Sequence, residues 1–370
     1  MYSRTILTGV ISLAALLGPK IAGATSYVLD CGAGGPSSTV QSQVDAIGLS
    51  PNNTILVKGS CVGDLRIYRA DRLSITRLNL NGNLSVDSSV TVALSNLNLT
   101  GGLYVANARG LNVQSATVIR GAIEIIRGSQ ISFTGLSMSP WSDAGGTSDP
   151  VVICSGQSEC SFSAATVTGS GTGGGTGIAG IVVGSASRLN LYSGTISGFD
   201  IGVWVWNSAN AFLTPTDCTN LTVQSNLSQG VHVSDGGLVK IEGLSPTAAA
   251  NYGCSAVPVY LTHNGAYGVF ADGGGNAYLY RTAIAGHSVD GIRVQHGSAA
   301  RVRSSTIDAA SASGRSARVT GEAHLYFDEQ ADGPAASSTL AGPVCVTGNS
   351  SVDTDNSSTV ITTTATCSTP

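Results

Sequence analysis

The chain has 370 residues, of which 42% are hydrophobic and only 11% are charged, and its formal net charge is −4. Hydrophobic content at this level excludes a disordered chain, because there is ample apolar material for a core. The composition has no basic excess, which argues against a nucleic-acid-binding protein, so we expect no nucleic-acid partner. With 48 glycines, the chain is predicted to form many short strands separated by turns, and few helices.

The first residues have the layout of a secretory signal peptide. Arg4 precedes an apolar stretch over residues 6–17, and Ala22-Gly23-Ala24 provides small residues for cleavage. We predict a signal peptide over residues 1–24 and a secreted protein, extracellular or periplasmic; an uncleaved N-terminal anchor is the alternative. Cleavage would remove Arg4 and Lys20 and change the net charge from −4 to −6. No later segment has about eighteen consecutive apolar residues, so we expect no membrane span in the mature chain.

The mature chain begins with one predicted strand and one predicted helix. The strand covers residues 27–29. Val40, Val44 and Ile47 then recur at helical spacing behind Ser37-Ser38-Thr39, whose hydroxyl groups are typical of a helix N-terminus. This is the one helix that we expect after the signal peptide.

From residue 65 onwards the sequence repeats a short unit in which two apolar residues flank one other residue. The first three spacings between units are 19, 19 and 20 residues, and further short strands fit between the units. A period near 20 residues with two or three short strands is typical of a coiled solenoid. The fixed positions of a leucine-rich repeat are missing, and a sandwich or propeller would give hairpins without this register. The apolar pairs are Leu65/Ile67, Leu84/Val86, Leu103/Val105, Ile123/Ile125, Val151/Ile153, Ile181/Val183, Val203/Val205, Val231/Val233, Val269/Ala271 and Ile292/Val294.

The segment Ser38-Thr39-Val40-Gln41, with Val44-Asp45-Ala46-Ile47 and Asn53-Thr54-Ile55-Leu56-Val57-Lys58-Gly59 after it, resembles the start of a known group of proteins. It is similar to the N-terminal helix and first coil of right-handed parallel β-helix proteins of the pectin-lyase-like superfamily. The run from Gly268 to Ser298 is similar to the generic repeats of that superfamily. The resemblance implies an all-β, right-handed, single-stranded parallel β-helix of about ten or more coils with a short N-terminal capping helix. A shared fold does not fix a shared reaction.

The predicted domain boundaries follow from this solenoid. Residues 25–62 form the N-terminal cap and first coil, residues 63–330 the parallel β-helix, and residues 331–370 a C-terminal cap or tail. All eight cysteines follow the signal peptide, and an even number in an exported chain predicts disulfides. Eight cysteines allow 105 pairings, and stacked coils favour neighbours in sequence: Cys31–Cys61, Cys154–Cys160, Cys218–Cys254 and Cys345–Cys367.

Residues that alternate with the apolar pairs should point outward and form rows, because successive coils of a β-helix lie about 4.8 Å apart. We expect His324 and Tyr326 to extend the two rows by one coil. The first predicted outward row is Arg66, Ser85, Tyr104, Glu124, Val152, Val182, Trp204, His232, Phe270 and Arg293. The second, two residues further along each strand, is Tyr68, Asp87, Ala106, Ile126, Cys154, Gly184, Trp206, Ser234, Asp272 and Gln295.

The later part of these rows brings aromatic and charged residues onto four consecutive coils. Aromatic faces stack on sugar rings, and Arg, His and Asp bind hydroxyl or carboxylate groups. We predict His232, Arg293 and Asp272 as catalytic residues. We predict that the substrate is bound by Trp204, Trp206, Phe270 and Gln295.

Each of these assignments has a structural alternative. Arg293 could pair with Asp272 one coil away, and the two tryptophans could be covered by a loop or by another chain. His296, next to the rows, is kept as a reserve candidate. The polygalacturonase motifs are missing, since only Gly286-His287-Ser288 and Gly291-Ile292-Arg293-Val294 are present. We find no acidic cluster on one row, so no metal or other cofactor is predicted.

Two classes of function remain. The first is a secreted carbohydrate-active protein that acts on an extracellular polysaccharide, as a lyase by β-elimination or as a glycoside hydrolase. In the elimination version His232 or Arg293 takes the proton; the hydrolytic version needs a second carboxylate beside Asp272, from Asp235 or Asp290. The second class is a non-catalytic glycan-binding or adhesin-like surface protein, which the lack of family motifs favours. The composition predicts no oligomeric state.

Overall fold

The computed structural model describes residues 25–32, 40–49, 51–115, 118–119, 121–143, 146–149, 151–171, 179–308, 314–328 and 338–354. The predicted signal peptide and Cys367 lie outside these residues.

The described chain is built around three long parallel sheets, which we number 1, 2 and 3. Successive coils pass through these sheets in that order. Sheet 1 contains Leu65–Tyr68, Leu84–Asp87, Leu103–Ala106, Ala122–Ile126, Val151–Cys154, Ala179–Val183, Ile201–Val205, Gln229–Val233, Tyr267–Ala271, Asp290–Gln295, Arg315–Thr320 and Val344–Thr347. Sheet 2 contains Ser26–Asp30, Thr54–Lys58, Ser74–Thr76, Ala93–Ser95, Leu111–Gln114, Gln130–Thr134, Glu159–Ser163, Arg188–Leu191, Asn210–Leu213, Leu238–Glu242, Asn276–Tyr280, Ala299–Arg303, His324–Phe327 and Ser351–Thr354. Sheet 3 contains Ser60–Val62, Asn79–Asn81, Asn98–Leu99, Val118–Ile119, Ser137–Met138, Ala165–Thr168, Gly194–Ser197, Leu221–Gln224, Val259–Thr262, Thr282–Ala285, Thr306–Ile307 and Thr339–Leu340.

Each strand of these sheets pairs in parallel with the equivalent strand of the coils before and after it, which confirms the predicted parallel β-helix. A two-stranded antiparallel hairpin, Trp141–Asp143 with Gly146–Ser148, lies outside this arrangement. The last strand of each sheet lies beyond residue 338, so the segment that we set apart as a C-terminal cap or tail adds strands to all three sheets. No helix in the described part of the chain is long and apolar enough to cross a membrane.

Alternation along the strands builds a single core inside the coils. Val203 and Val205 are fully buried, and so are Val231 and Val233 in the next coil of sheet 1. The core runs through the coils as one continuous cluster. Burying one such side chain stabilises the fold by roughly 1.5–3 kcal/mol, which explains why the apolar pairs fix the position of every strand.

The predicted orientation of the Val151–Cys154 strand is wrong. Val152 and Cys154 are buried, so Val151 and Ile153 lie on the outer side. The cause is the disulfide between Cys154 and Cys160, since Cys160 is also a buried residue and its partner must point into the core to reach it. A slip of one residue turns every side chain of a strand to the opposite face.

Three of the four predicted disulfides are confirmed: Cys31–Cys61, Cys154–Cys160 and Cys218–Cys254. Cys345 is disulfide-bonded, and its predicted partner Cys367 lies outside the described residues. Disulfides persist in oxidising compartments, so these bonds agree with an exported protein.

The predicted N-terminal helix is confirmed as Val40–Ile47, with Val40 and Val44 buried. Gln41 connects this helix to the first strand of sheet 1. Its side-chain amide donates a hydrogen bond to the carbonyl oxygen of Arg66 (3.2 Å), and its side-chain oxygen accepts one from the backbone N–H of Arg66 (2.6 Å). Gln41 thus satisfies backbone groups of an edge strand that would otherwise be open to another chain.

A second helix, Pro246–Asn251, corrects the expectation of a single one. Ser245 caps it by accepting a hydrogen bond from the backbone N–H of Ala248 (3.1 Å), and Pro246 occupies the first turn. The helix lies between a strand of sheet 2 and the next strand of sheet 3, and the Cys218–Cys254 disulfide holds this insertion.

Buried amides and a histidine line the turn that leads from sheet 3 to sheet 1. Asn226 accepts a hydrogen bond from the backbone N–H of Phe199, and its own backbone and side-chain N–H groups donate to Oδ1 of Asn264 at 3.2 and 2.8 Å. The backbone carbonyl oxygen of Asn264 contacts Nδ1 of His287 at 3.0 Å. This ladder of polar side chains satisfies buried backbone groups in the turns that lead into the strands of the site described below.

Replacement of Asn264 by alanine should therefore destabilise the fold. The variant removes the acceptor for two N–H groups of Asn226, and we expect a loss of about 2–4 kcal/mol because buried donors remain unsatisfied. Urea denaturation followed by circular dichroism measures the effect. Asn98→Ala, at an exposed position of sheet 3, is the control and should change the midpoint little; equal midpoints for the two variants would contradict this role of Asn264.

Candidate functional site

The predicted rows of sheet 1 are present in the second half of the solenoid. Trp204, His232, Phe270 and Arg293 are aligned on four consecutive strands. In the next coil the row continues with Arg318. The expectation that His324 and Tyr326 extend the rows is wrong, because their strand belongs to sheet 2, where His324 aligns with Ala299. The strand with Arg318 was missed since it offers only Val319 as a large apolar residue.

The rings of Trp204, His232 and Phe270 follow one another along the solenoid axis, and those of Trp206 and Tyr267 lie beside them. The planes of Trp204 and His232 are within 6° of parallel, with centroids 5.8 Å apart. The rings of His232 and Phe270 follow at 4.8 Å, and those of Phe270 and Tyr267 at 5.3 Å. Trp206 contacts Trp204 at 5.8 Å. We call these five residues the aromatic row; each ring pair adds about 0.5–1.5 kcal/mol of stabilisation beyond its buried area.

Stacking in this direction determines what a ligand could contact. The ring faces of the aromatic row meet the neighbouring rings, and its residues are half-buried. The indole of Trp206 also lies against the backbone of Gly184, where a Cβ atom would come within 2.6 Å of its Nε1. A sugar chain along this sheet would therefore meet ring edges, together with the polar groups beside them.

His232 occupies the middle of the aromatic row. Neither of its ring nitrogens is accessible or has a hydrogen-bond partner among the described residues. Burial lowers the pKa of His232 below its ordinary value, against the opposing effect of the Asp272 and Asp235 carboxylates. His232 is therefore held as a neutral ring whose polar edge does not reach solvent in this arrangement.

Arg293 ends the aromatic row and is held by several contacts. Its guanidinium lies over the rings of Tyr267 (5.3 Å) and Phe270 (5.9 Å). It donates hydrogen bonds to the hydroxyl of Tyr267 and, from Nε, to Oε1 of Gln295 (3.0 Å). Such contacts fix the planar donor fork of an arginine in one orientation, as recognition of a carboxylate requires.

A buried carboxylate lies at the same end of the row. Asp290 is fully buried, and the Arg315 and Arg318 guanidiniums each approach it to 3.5 Å. Burial raises its pKa to about 6, while the charges of Arg315 and Arg293 oppose that rise. We call Asp290, Arg293, Arg315 and Arg318 the arginine cluster. With Asp290 ionised it carries a net charge of +2, in a chain whose overall charge is −4.

Asp272 pairs with His296, and the pairing with Arg293 that we considered is not formed. Oδ1 of Asp272 lies 2.7 Å from Nδ1 of His296 and also accepts a hydrogen bond from the backbone N–H of Gly273 (2.8 Å). The side chain of His296 is 68% exposed. Its φ of 49° lies in the left-handed region, which histidine tolerates better than most residues. This pair, which we call the His–Asp pair, presents an oriented imidazole to solvent.

The structure thus brings the predicted site residues onto one face but divides them into a stacked row, a cationic cluster and an exposed His–Asp pair. Sequence reasoning missed Tyr267, Arg315 and Arg318, and it held His296 only in reserve. The described residues contain no group of three or more His, Cys, Asp or Glu side chains arranged to hold a metal ion.

No family model matches the sequence, and no curated protein matches it. Among solved structures, the chain is similar to the periplasmic alginate epimerase AlgG, with 11% identity and a TM-score of 0.42 over 84% of this chain and 77% of that chain. It is also similar to the A-module of the Azotobacter vinelandii mannuronan C-5 epimerase AlgE4, with 9% identity and a TM-score of 0.31 over 92% and 91% of the two chains. A GH87 α-1,3-glucanase catalytic domain has 9% identity and a TM-score of 0.29 over 94% and 71%. Likenesses at this level say nothing about individual residues of the site.

Gly184→Ala should displace the indole of Trp206, because the added methyl group would overlap Nε1. We expect a shift and broadening of the tryptophan fluorescence spectrum, with secondary structure unchanged by circular dichroism. Gly32→Ala is the control, since its nearest contacts would lie at an ordinary 3.6 Å. Identical emission from the two variants would show that Gly184 does not support Trp206.

The protonation of His232 gives a second prediction for this site. NMR titration should show His232 with a pKa below the ordinary histidine value of about 6.5, and Trp204→Ala should move that pKa upward by admitting water to the ring. Because the folded-state pKa is lowered, the stabilising contribution of this histidine is present above the unfolded-state pKa of about 6.5 and is lost as pH falls through the folded-state value. Titration of His232 at or above about 6.5 would contradict the described environment.

Proposed function

We propose that this protein acts on an anionic extracellular polysaccharide at the second half of sheet 1, by β-elimination next to a uronate carboxylate. The observation that carries the proposal is the arginine cluster at the end of the aromatic row. Arg293 and Arg318 are aligned there, and Arg315 and Arg318 each approach the buried Asp290 to 3.5 Å, so this end of the face carries guanidinium groups although the chain is acidic overall. Such a site favours a ligand that combines carboxylates with apolar ring surface.

Arg293 is the group we assign to the uronate carboxylate. It is half-buried, and its orientation is fixed by Tyr267 and Gln295. Its positive charge would stabilise the negative charge that develops on the carboxylate when the neighbouring carbon loses its proton. The edges of Trp204, Trp206 and Phe270 would line the path of the adjoining sugars.

The proton acceptor is better placed in the His–Asp pair than in the aromatic row. The ring nitrogens of His232 are enclosed, whereas His296 is exposed and Asp272 orients its Nδ1. A carboxylate in this position fixes the tautomer of the histidine and leaves Nε2 as the proton acceptor. We therefore assign proton abstraction to Nε2 of His296, with Asp272 as the positioning residue and His232 as the neutral support between the rings.

The reaction balances without a further reactant. The base takes the proton from the carbon next to the carboxylate, a double bond forms between that carbon and its neighbour, and the glycosidic C–O bond to the neighbour breaks. The departing oxygen receives a proton and becomes a new sugar hydroxyl. The products are a chain with an unsaturated end and a chain with a free hydroxyl end.

Glycan binding without catalysis is the second candidate. It is favoured by the enclosure of the His232 ring nitrogens and by the mutual coverage of the ring faces, both of which suit a preformed binding surface. Hydrolysis is less well supported, because Asp290 is fully buried and only the exposed Asp235 could serve as the second carboxylate with Asp272.

Incubation of the mature protein with uronate-containing and neutral polysaccharides, followed by ultraviolet detection of unsaturated ends and a reducing-end assay, separates these candidates. We expect unsaturated ends from a uronate polymer and at least a 100-fold lower rate for Arg293→Gln and for His296→Asn. Asparagine suits the left-handed backbone at residue 296 but cannot accept the proton.

Each variant has a matched control. Arg66→Gln alters the same outward row at the far end of sheet 1, and His263→Asn alters an exposed histidine with a similar φ of 53°. Both should retain the wild-type rate. Near wild-type activity of His296→Asn would overturn the assigned base. Binding without cleavage that is weakened by Trp204→Ala would establish the glycan-binding protein, and reducing ends without unsaturation would establish a hydrolase.

A further inference from the structure

A second cleft lies on the outer face of sheet 2. Its volume is about 420 Å³, and the side chains that define it come from three consecutive coils. Tyr278, Arg301 and Tyr326 are aligned on successive strands, and Asn276, Ala299 and His324 form the adjacent row. We call this cleft the tyrosine slot.

The spacing of the coils sets the width of the tyrosine slot. Tyr278 and Tyr326 lie two coils apart, so their Cα atoms are separated by about 9.6 Å along the axis. Two van der Waals contacts of about 3.5–4.0 Å occupy 7–8 Å of that distance. The remaining distance accommodates the thickness of one puckered sugar ring between the two tyrosine side chains. Ala299, on the strand between them, has a small side chain and leaves space for this ring.

The position of Arg301 keeps the slot open. This residue lies between the two tyrosines in the row, but its guanidinium is held by the carboxylate of Asp328. Asp328 also raises the pKa of Arg301 through their hydrogen bond. Elsewhere on this sheet cations cover the aromatic rings, as Arg188 does over Phe212 (4.7 Å) and Lys240 over Tyr280 (5.5 Å).

The polar lining indicates the class of ligand. Arg301 and Asp328 neutralise each other, and Asn276 contributes a neutral amide at the margin. Paired carboxylate, guanidinium and amide groups beside aromatic rings suit sugar hydroxyls and the apolar faces of a sugar ring. The arginine cluster on sheet 1 has a net positive charge, whereas the tyrosine slot has none.

We propose that the tyrosine slot binds a neutral pyranose unit of a glycan, separately from the site on sheet 1. Its role is to anchor a chain. The inference does not depend on cleavage of a uronate polymer, because the residues, the sheet and the charge of the ligand are all different.

Binding of neutral tetrasaccharides of glucose, mannose, galactose and xylose, measured by calorimetry and by NMR shifts of the tyrosine rings, tests the proposal. We expect at least one to bind and to shift the signals of Tyr278 and Tyr326. Ala299→Phe should fill the slot and weaken binding at least tenfold, and Tyr326→Ala should do the same by removing one wall. Asp328→Asn should also weaken binding, because it releases Arg301 toward the tyrosines.

Tyr68→Ala, an exposed tyrosine of sheet 1, and Arg293→Gln are the controls and should leave the affinity unchanged. Circular dichroism of the Ala299→Phe variant establishes that a loss of binding does not come from unfolding. The proposal is overturned if none of the four sugars binds at millimolar concentration, or if a bound sugar is unaffected by both Ala299→Phe and Tyr326→Ala. Neither result bears on elimination at sheet 1, which is measured with uronate polymers.

Discussion

Parallel backbone pairing between successive coils is the constraint from which the rest of this molecule follows. It places equivalent residues about 4.8 Å apart, a distance close to the contact distance of stacked rings. Aligned aromatic residues can therefore stack, as Trp204 and His232 do with ring planes 6° apart. The same spacing brings aligned charges into contact, so a row of side chains acts as one unit. Chemistry on this fold is determined by neighbours along the axis as much as by neighbours in sequence.

The turns of the coils impose a second constraint, because each must satisfy backbone groups that the three sheets leave unpaired. Internal amides do this between sheets 3 and 1, where Asn226 and Asn264 bond to one another and to backbone atoms. On the other side of sheet 1 many residues adopt a positive φ, including Asn207, Asp235 and His296. The left-handed conformation of His296 is thus a general property of this turn, and the pairing with Asp272 is what distinguishes it.

The fold could be predicted from the sequence because burial imposes a period of two within strands and about twenty between coils. Apolar pairs such as Val203/Val205 located the strands of sheet 1 directly. The alternation of apolar residues failed to predict the orientation of the Val151–Cys154 strand. There the disulfide of Cys154 directs this residue into the core, so the strand presents the opposite set of side chains to the core. The alternation also failed where the apolar signal was weak, as in Arg315–Thr320, and this hid two members of the arginine cluster.

The alignment of the residues of the candidate site could be predicted from the sequence, but their burial and orientation could not. Alignment follows from register, whereas burial and orientation depend on how rows stack after folding. The predicted row places His232 between Trp204 and Phe270, but nothing in the sequence shows that its ring nitrogens are enclosed, and nothing around Asp290 shows that this carboxylate is buried. Both features determine protonation, and protonation determines which residue can accept a proton.

The charged groups differ between the two outer faces of the later coils. On sheet 2, Lys240 and Arg281 share Glu242, and Arg301 pairs with Asp328. On sheet 1, Asp290 is the one carboxylate within the arginine cluster, and its pKa of about 6 adds a dependence on pH. As pH falls below 6, Asp290 takes up a proton and the cluster gains positive charge. Because its folded-state pKa is raised, ionisation of Asp290 costs stability as pH rises from about 4 to 6. Arg315 and Arg318 therefore lie against a carboxylate whose burial carries a modest cost in folding at neutral pH, and the ionisation of that carboxylate sets the charge of the cluster.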